Sequence, residues 1–228
     1  MKKIGILLSG CGVYDGAEIQ ESVLTMLAIE EANAEYFCIS IDKPQYHTIN
    51  HLTGEEEQEN RNMLVESARI ARGKVIDIKN VDLREMDGLV IPGGFGSAKN
   101  FTEWAFKGPE GKILPEVKLL LINLMNIGKP ILALCVSPVV IAKALEGSGL
   151  SSKLTIGSTQ FSSPYEIKSF MEGMESVGIN TEEKNVEEIL IDNENRIITA
   201  PCYMLEASIL DVRKNIKQGV SALIEMIN

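Results

Sequence analysis

Gly128-Lys129-Pro130-Ile131-Leu132-Ala133-Leu134-Cys135-Val136-Ser137-Pro138 runs from a helix stop, through four apolar residues, into one reactive residue. Ile131–Leu134 has the length and unbroken apolarity of a strand buried on both faces of a parallel sheet. Pro138 suits the first turn of a helix, where its missing N–H costs no hydrogen bond. Small residues, Ala133 and Ser137, stand two positions to either side of Cys135. A nucleophile elbow needs small residues there, because the backbone turns sharply and neighbouring chains come close. A cysteine at such a turn feels the positive end of the following helix, which lowers a thiol's pKa. The Val136 N–H would point to where an oxyanion forms. The alternative is a free cysteine packed as a small buried hydrophobe.

Outward from this segment, strand and helix alternate. Residues 3–9 read as a buried strand ending at Gly10, and residues 16–31 as a helix with apolar residues at Ile19, Val23, Met26 and Leu27. A strand over 36–41 and a helix over 60–72 follow, the latter stopped by Gly73. Strands are expected at 75–78 and Gly88–Ile91, a helix at 115–127, and another at Pro138–Leu145. Further on come a strand at 154–156, a helix at 165–176, two strands at 189–192 and 196–199, and a helix over 205–227. Asn193-Glu194-Asn195 between the last two strands signals a hairpin. The alternation predicts an α/β fold with a mostly parallel central sheet covered on both faces and a small β-hairpin near the C-terminus, built as one domain over 1–228. Residues 42–59 and 97–114 lack a regular pattern, and loops of that length often serve as lids or binding loops.

Composition narrows the function. The 228 residues carry a net charge of −10, with 45% hydrophobic and 24% charged residues, as in a globular protein. An acidic chain with scattered basic residues is unsuited to nucleic acid or to an anionic membrane surface. No apolar run is long enough to span a membrane, and the run after Met1-Lys2-Lys3 is too short for a secretory signal. Cys11, Cys38, Cys135 and Cys202 form no CxxC pair, which fits reduced thiols in a cytoplasmic protein.

Ligands of open α/β sheets bind beyond the carboxyl ends of the strands. Three such ends are in view: 10–16, 92–100 and 135–138. Gly93-Gly94 allows the backbone to approach a ligand and to present N–H groups as a second oxyanion donor; a plain glycine turn is the alternative. Gly10-Cys11-Gly12-Val13-Tyr14-Asp15-Gly16-Ala17-Glu18 is neither a dinucleotide fingerprint nor a phosphate loop. Asp15 and Glu18 have the spacing of a helix capping box. Alternatively Glu18 reaches the Cys135 sulfur, stays protonated there, and shuttles protons.

Other residues stay open. His47 and His51 sit four apart near Glu55 to Glu57 and read as a polar loop or as part of a metal site, or His51 leans over the pocket as a lid. Cys11 can approach Cys135 as a redox partner, Cys38 reads as core, and Cys202 is either near the site or merely packed. Trp104 and Phe106 suit a partner contact, a lid anchor or a substrate wall.

Several stretches together resemble the PfpI-like, class I glutamine amidotransferase-like superfamily, and within it the ElbB (enhancing lycopene biosynthesis) glyoxalase branch. They are Lys3-Ile4-Gly5, residues 9–16, Ile49-Asn50-His51-Leu52-Thr53-Gly54-Glu55, Pro92-Gly93-Gly94-Phe95-Gly96 with Ala98-Lys99-Asn100, and the Cys135 elbow. The resemblance implies a flavodoxin-like three-layer sandwich, a homodimer, and neither cofactor nor metal. It implies Cys135 as nucleophile with Glu18 as its acid. Gly94 and Val136 N–H groups would hold the oxyanion, with Gly93 and Asn100 among the substrate-binding residues. The implied substrate is a small aldehyde: glyoxal giving glycolate, or methylglyoxal giving lactate, with a link to isoprenoid output. A glutaminase triad needs a histidine downstream of the cysteine; both histidines here lie upstream, and Val136 occupies the position where many relatives carry one. An aldehyde-processing enzyme, a thiol sensor without turnover, and a docking subunit without chemistry are the three functions to be distinguished.

Overall fold

The computed structural model describes residues 1–227. Its strands are β1 (Lys3–Leu7), β2 (Glu35–Ser40), β3 (Val75–Asp77), β4 (Gly88–Ile91), β5 (Ile131–Leu134), β6 (Lys153–Leu154), β7 (Asn180–Thr181), β8 (Leu190–Asp192) and β9 (Ile197–Ala200). Its helices are α1 (Ile19–Glu31), α2 (Met63–Ile70), α3 (Trp104–Lys107), α4 (Pro115–Asn126), α5 (Pro138–Leu145), α6 (Ile167–Ser176) and α7 (Ile209–Met226).

Seven strands form one sheet in the order β3-β2-β1-β4-β5-β9-β8. All neighbours are parallel except β8 and β9, which form the antiparallel hairpin near the C-terminus. Every residue of β4, β5 and β9 is buried, which is why these strands read as unbroken apolar runs. The chain steps one way along the sheet from β1 to β3 and the other way from β4 to β9. Right-handed crossovers then place α1 and α2 on one face, and α4 and α5 on the other. The contacts agree: α1 packs on α2 and α7, and α4 packs on α5. The order reverses at β1 and β4, so the loops after these strands part there and leave a crevice.

Some boundaries differ from the sequence reading, each for a local reason. The first helix starts at Ile19 because residues 10–17 close on themselves: Gly12 N–H donates to Ala17 O (2.9 Å) and Gly16 N–H to Gly12 O (2.8 Å). Of Ile19, Val23, Met26 and Leu27, only Met26 is buried. The last helix starts at Ile209, where Ser208 caps it by accepting from Asp211 N–H. The segment before it makes a short 3-10 turn, Cys202–Met204. Segment 97–114 is partly regular, holding a π-helical turn over Ser97–Phe101 and α3. Segment 42–59 is held by isolated bridges, Pro44 to Asn62 and Ile49 to Glu56. The strand pair β6-β7 was not foreseen in full, since its second member is only two residues long.

Candidate active site

Cys135 follows β5 directly and adopts φ +57°, a left-handed conformation that a residue with a side chain takes at a cost of about 1–3 kcal/mol. The surroundings enforce it. Cys135 N–H donates to Ala200 O at the end of β9 (2.9 Å), and Ser137 N–H returns to Leu134 O (2.9 Å). The buried Ser137 hydroxyl donates to Pro92 O (2.6 Å) and lies 2.9 Å from the Ser97 hydroxyl, tying the elbow to the glycine turn after β4. That turn must be glycine. A Cβ on Gly93 would fall 2.8 Å from Cys135 Sγ and 2.5 Å from Glu21 Oε2.

The carboxyl beside the thiol is that of Glu21, not Glu18. Glu21 lies in the first turn of α1 with no exposed surface. Its Oε2 accepts from Gly93 N–H at 2.8 Å, its Oε1 faces Tyr203 N–H at 3.4 Å, and the carboxyl lies beside the Cys135 thiol. Burial first, and the Glu18 charge second, push Glu21 up to about 8, so it carries a proton at neutral pH. Glu18 is instead the N-cap of α1 and accepts from Glu21 N–H at 2.5 Å. Burial raises its pKa, while the Glu21, Gln20 and Ile19 N–H groups oppose the rise by binding the anion. Asp15 is no cap either: its buried carboxylate accepts from Ile49 N–H (2.7 Å) and so holds the 42–59 loop.

The thiol also departs from expectation. Cys135 is only 6% exposed, and burial, then the Glu21 charge, push its pKa well up, where the helix N-terminus alone would lower it. Gly94 and Val136 N–H groups face the sulfur and work the other way. With Glu21 protonated its repulsion vanishes and its O–H becomes a donor. The thiolate then forms against three donors.

Of the other expected site residues, Gly93 spends its N–H on Glu21, leaving Gly94 and Val136 as the pair of backbone donors at the sulfur. Asn100 does not face the substrate side. Its amide donates to Ser9 O and Asp15 O (both 2.8 Å) and accepts from Tyr46 N–H (2.8 Å), so its donors are used bracing two loops. His51 stacks on Tyr14 (ring centroids 4.9 Å apart) and accepts from Tyr14 N–H at 3.3 Å, over the 10–16 loop. His47 packs against Tyr46 and Phe106. Among the described residues, no three or more His, Cys, Asp or Glu side chains are grouped to hold a metal ion. Cys11 lies in a field of Glu66, Arg69, Asp15 and Arg61, and Cys38 is in the core with its thiol pushed up to about 12. Cys202 is the thiol nearest in the chain to the elbow's anchor: it is fully buried at φ +46°, two residues past the Ala200 carbonyl that takes the Cys135 N–H, and burial first pushes its pKa well up. Trp104 is a buried anchor closing on Gly173 of α6.

Sequence reading missed Glu21 because the apolar spacing of α1 pointed to the wrong face. Its buried side carries Glu21, Ser22 and Thr25 beside Met26, Ala28 and Ile29. The available signal was a polar trio at 21, 22 and 25, on one helix face next to a glycine-rich strand end.

The parallel sheet with its order reversed at the cleft has counterparts among solved structures. Drosophila melanogaster DJ-1beta shares the fold, with a TM-score of 0.55 at 15% identity, covering 99% of this chain and 95% of its own. No family model matches the chain. The human Glutamine amidotransferase-like class 1 domain-containing protein 3, mitochondrial, is 36% identical over 228 residues, covering 98% of this chain and 83% of its own length. The rat ES1 protein homolog, mitochondrial, is 34% identical, covering 99% of this chain and 82% of its own. A crystal structure of an isoprenoid biosynthesis protein with amidotransferase-like domain from Ehrlichia chaffeensis aligns over 100% of both chains, with a TM-score of 0.90 at 35% identity. The chain belongs to the ES1 family of glutamine amidotransferase-like class 1 proteins.

Proposed function

We propose that this protein is a cysteine-dependent, glutathione-independent glyoxalase-type enzyme, converting glyoxal to glycolate or methylglyoxal to lactate. The observation that carries the reading is the fully buried Glu21 carboxyl set beside the elbow thiol of Cys135, so close that one Cβ on Gly93 would meet both. The Cys135 sulfur adds to the aldehyde carbon. The alkoxide that forms lies against the Gly94 and Val136 N–H groups and takes the proton the thiol gives up. With a pKa of about 8, Glu21 is about one-tenth ionised at pH 7, so both of its forms are within reach. As carboxylate it removes the C–H proton of the hemithioacetal, and it returns that proton to the neighbouring carbon through an enediol. The former aldehyde carbon is thereby oxidised to a thioester and its neighbour reduced to an alcohol. Water cleaves the thioester, releasing the hydroxy acid and the thiol.

The Ehrlichia relative's description supports placing this activity near isoprenoid metabolism. The four free cysteines suit a reducing compartment such as the cytoplasm. A homodimer is part of the proposal: Ile19, Val23 and Leu27, spaced four apart on α1, form an exposed apolar stripe that a second copy would cover. A thiol sensor is the second reading, favoured by the fully buried Cys202, which stands two residues past the Ala200 carbonyl that takes the Cys135 N–H.

The test is glyoxal consumption with glycolate detection. Cys135→Ala should abolish turnover and Cys11→Ser should behave as wild type. Glu21→Gln should lower turnover by about 10²-fold or more. Because glutamine can still accept from Gly93 N–H and donate to the sulfur, alkylation of Cys135 should change far less. Turnover equal in wild type and Cys135→Ala would end the enzymatic reading.

A further inference from the structure

Beside the thiol lies an open depression of about 440 Å³, lined by Val13, Glu18, Gln20, Tyr165, Tyr203 and Glu206 among others. Its chemistry is one-sided: two carboxylates and two phenol rings, and none of the described lining residues is basic. Its wall is joined to the site by backbone bonds: Tyr203 N–H faces Glu21 Oε1 at 3.4 Å and Glu18 N–H donates to Gly93 O at 2.9 Å. The Tyr165 phenol is pushed up to about 12 by burial first, and then by the charges of Cys135, Glu21, Tyr14 and Glu18. Glyoxal and methylglyoxal are neutral and leave all of these groups unused.

Resting on the reading of Cys135 as a carbonyl-attacking nucleophile, we propose that this depression is a specificity subsite for 1,2-dicarbonyl compounds whose tail carries a cationic ammonium or guanidinium group. Glu18 and Glu206 supply the charge, and Tyr165 and Tyr203 supply ring faces for the cation. The two first-turn carboxyls of α1 divide the work by environment. Glu18 lines the depression, and the N–H groups at the start of α1 bind its anionic form against the upward push of partial burial. Glu21, one turn inward and buried, keeps its proton for the chemistry.

The aromatic walls are held in place. Tyr165 meets Phe95 edge-on with ring centroids 5.5 Å apart, and the Tyr203 hydroxyl donates to Gln20 Oε1. Glu206 is on the rim, its backbone N–H fastened to Ser162 O at 2.9 Å and its side chain exposed. Glu18 and Glu206 act here as binding residues; the atoms that react belong to Cys135, Glu21 and the dicarbonyl. The internal redox balance is that of the parent reaction: the aldehyde carbon is oxidised, its neighbour is reduced, and one water is added.

The deciding measurement does not need turnover. Cys135 is modified by two methanethiosulfonates of similar size, one ending in trimethylammonium and one in sulfonate. Rates are read by mass spectrometry on the Cys135 peptide, with Cys11 in the same molecule reporting the general field of a −10 chain. The cationic reagent should be favoured at Cys135 by about tenfold more than at Cys11. Glu206→Gln should cut that excess by at least about twofold, as should Glu18→Gln, which retains the cap acceptor. The same cation-to-anion ratio at both cysteines, or a ratio at Cys135 that neither substitution moves, would overturn the proposal. Steady-state kcat/KM for an ammonium-bearing 2-oxoaldehyde against methylglyoxal then tests the parent reading apart from the subsite. A charge preference in modification without any turnover leaves the subsite standing and removes the enzyme.

Discussion

Glu21 keeps its proton because no water reaches it and a second carboxylate stands three residues away. That has a consequence for stability. Below about pH 4.5 the carboxyl is protonated whether the chain is folded or not, and its contribution is fully present. Between there and about 8 the unfolded chain releases the proton while the folded one holds it, so stability falls as pH rises through this window. Glu21→Gln has no proton to release. Thermal melts at pH 5 and pH 8 should show the variant gaining on wild type at the higher pH, by up to about 3.5 kcal/mol. Parallel pH curves would mean that Glu21 is ionised in the fold. Gly93 is as tightly determined. A methyl group there meets Cys135 Sγ and Glu21 Oε2 together, so Gly93→Ala should slow glyoxal turnover by about 10²-fold or more even where the protein folds. Wild-type kcat/KM in that variant would show that the turn relaxes freely.

At the scale of the element, the elbow and the glycine turn are one unit, joined by the Ser137 hydroxyl on Pro92 O. Ser137→Ala removes that bond in a region without solvent and should cost about 1–3 kcal/mol, measured by urea denaturation. A variant as stable as wild type would mean that another donor reaches Pro92 O. This scale also shows what the sequence carries. Gly88–Ile91, Ile131–Leu134 and Pro138–Leu145 are legible to the residue, because each is apolar, save Lys143 in the last, and bounded by glycine, proline or the elbow itself. α1 was legible as a helix but not in its orientation. The closed 10–17 loop moved its start by three residues, and its buried side carries polar groups that only the site requires. Cys135 could be read from its own neighbours, whereas Glu21 and the bracing role of Asn100 depend on contacts 72 to 114 residues away or between distant loops, to which no local pattern is tied. β7 is two residues that become a strand only against β6.

At the scale of the molecule, the reversal of strand order between β1 and β4 assembles the site from three strand ends on one edge of the sheet. The same arrangement turns one side of α1 toward the thiol and another toward solvent, with Ile19, Val23 and Leu27 each about half exposed. If a second copy covers that stripe, wild type should sediment as a dimer, and Val23→Asp with Leu27→Asp should shift it to a monomer. A wild-type monomer at micromolar concentration would refute the pairing. Association through α1 would also reach Glu18 at its first turn, so the double variant should alter reactivity at Cys135 as well as mass.

The bonds that finish the site come from late in the chain. Cys135 N–H ends on Ala200 O, Tyr203 N–H faces Glu21, and the buried Cys202 stands between those two anchors. During synthesis the cysteine therefore leaves the ribosome some sixty residues before β9 and the turn after it can dock, at a time when neither its strained backbone nor its protonated partner is yet enforced. A chain interrupted in that interval carries an ordinary thiol. The reactive group is in this way withheld until the last strand pair is in place, and incomplete copies are spared a nucleophile in an unguarded state.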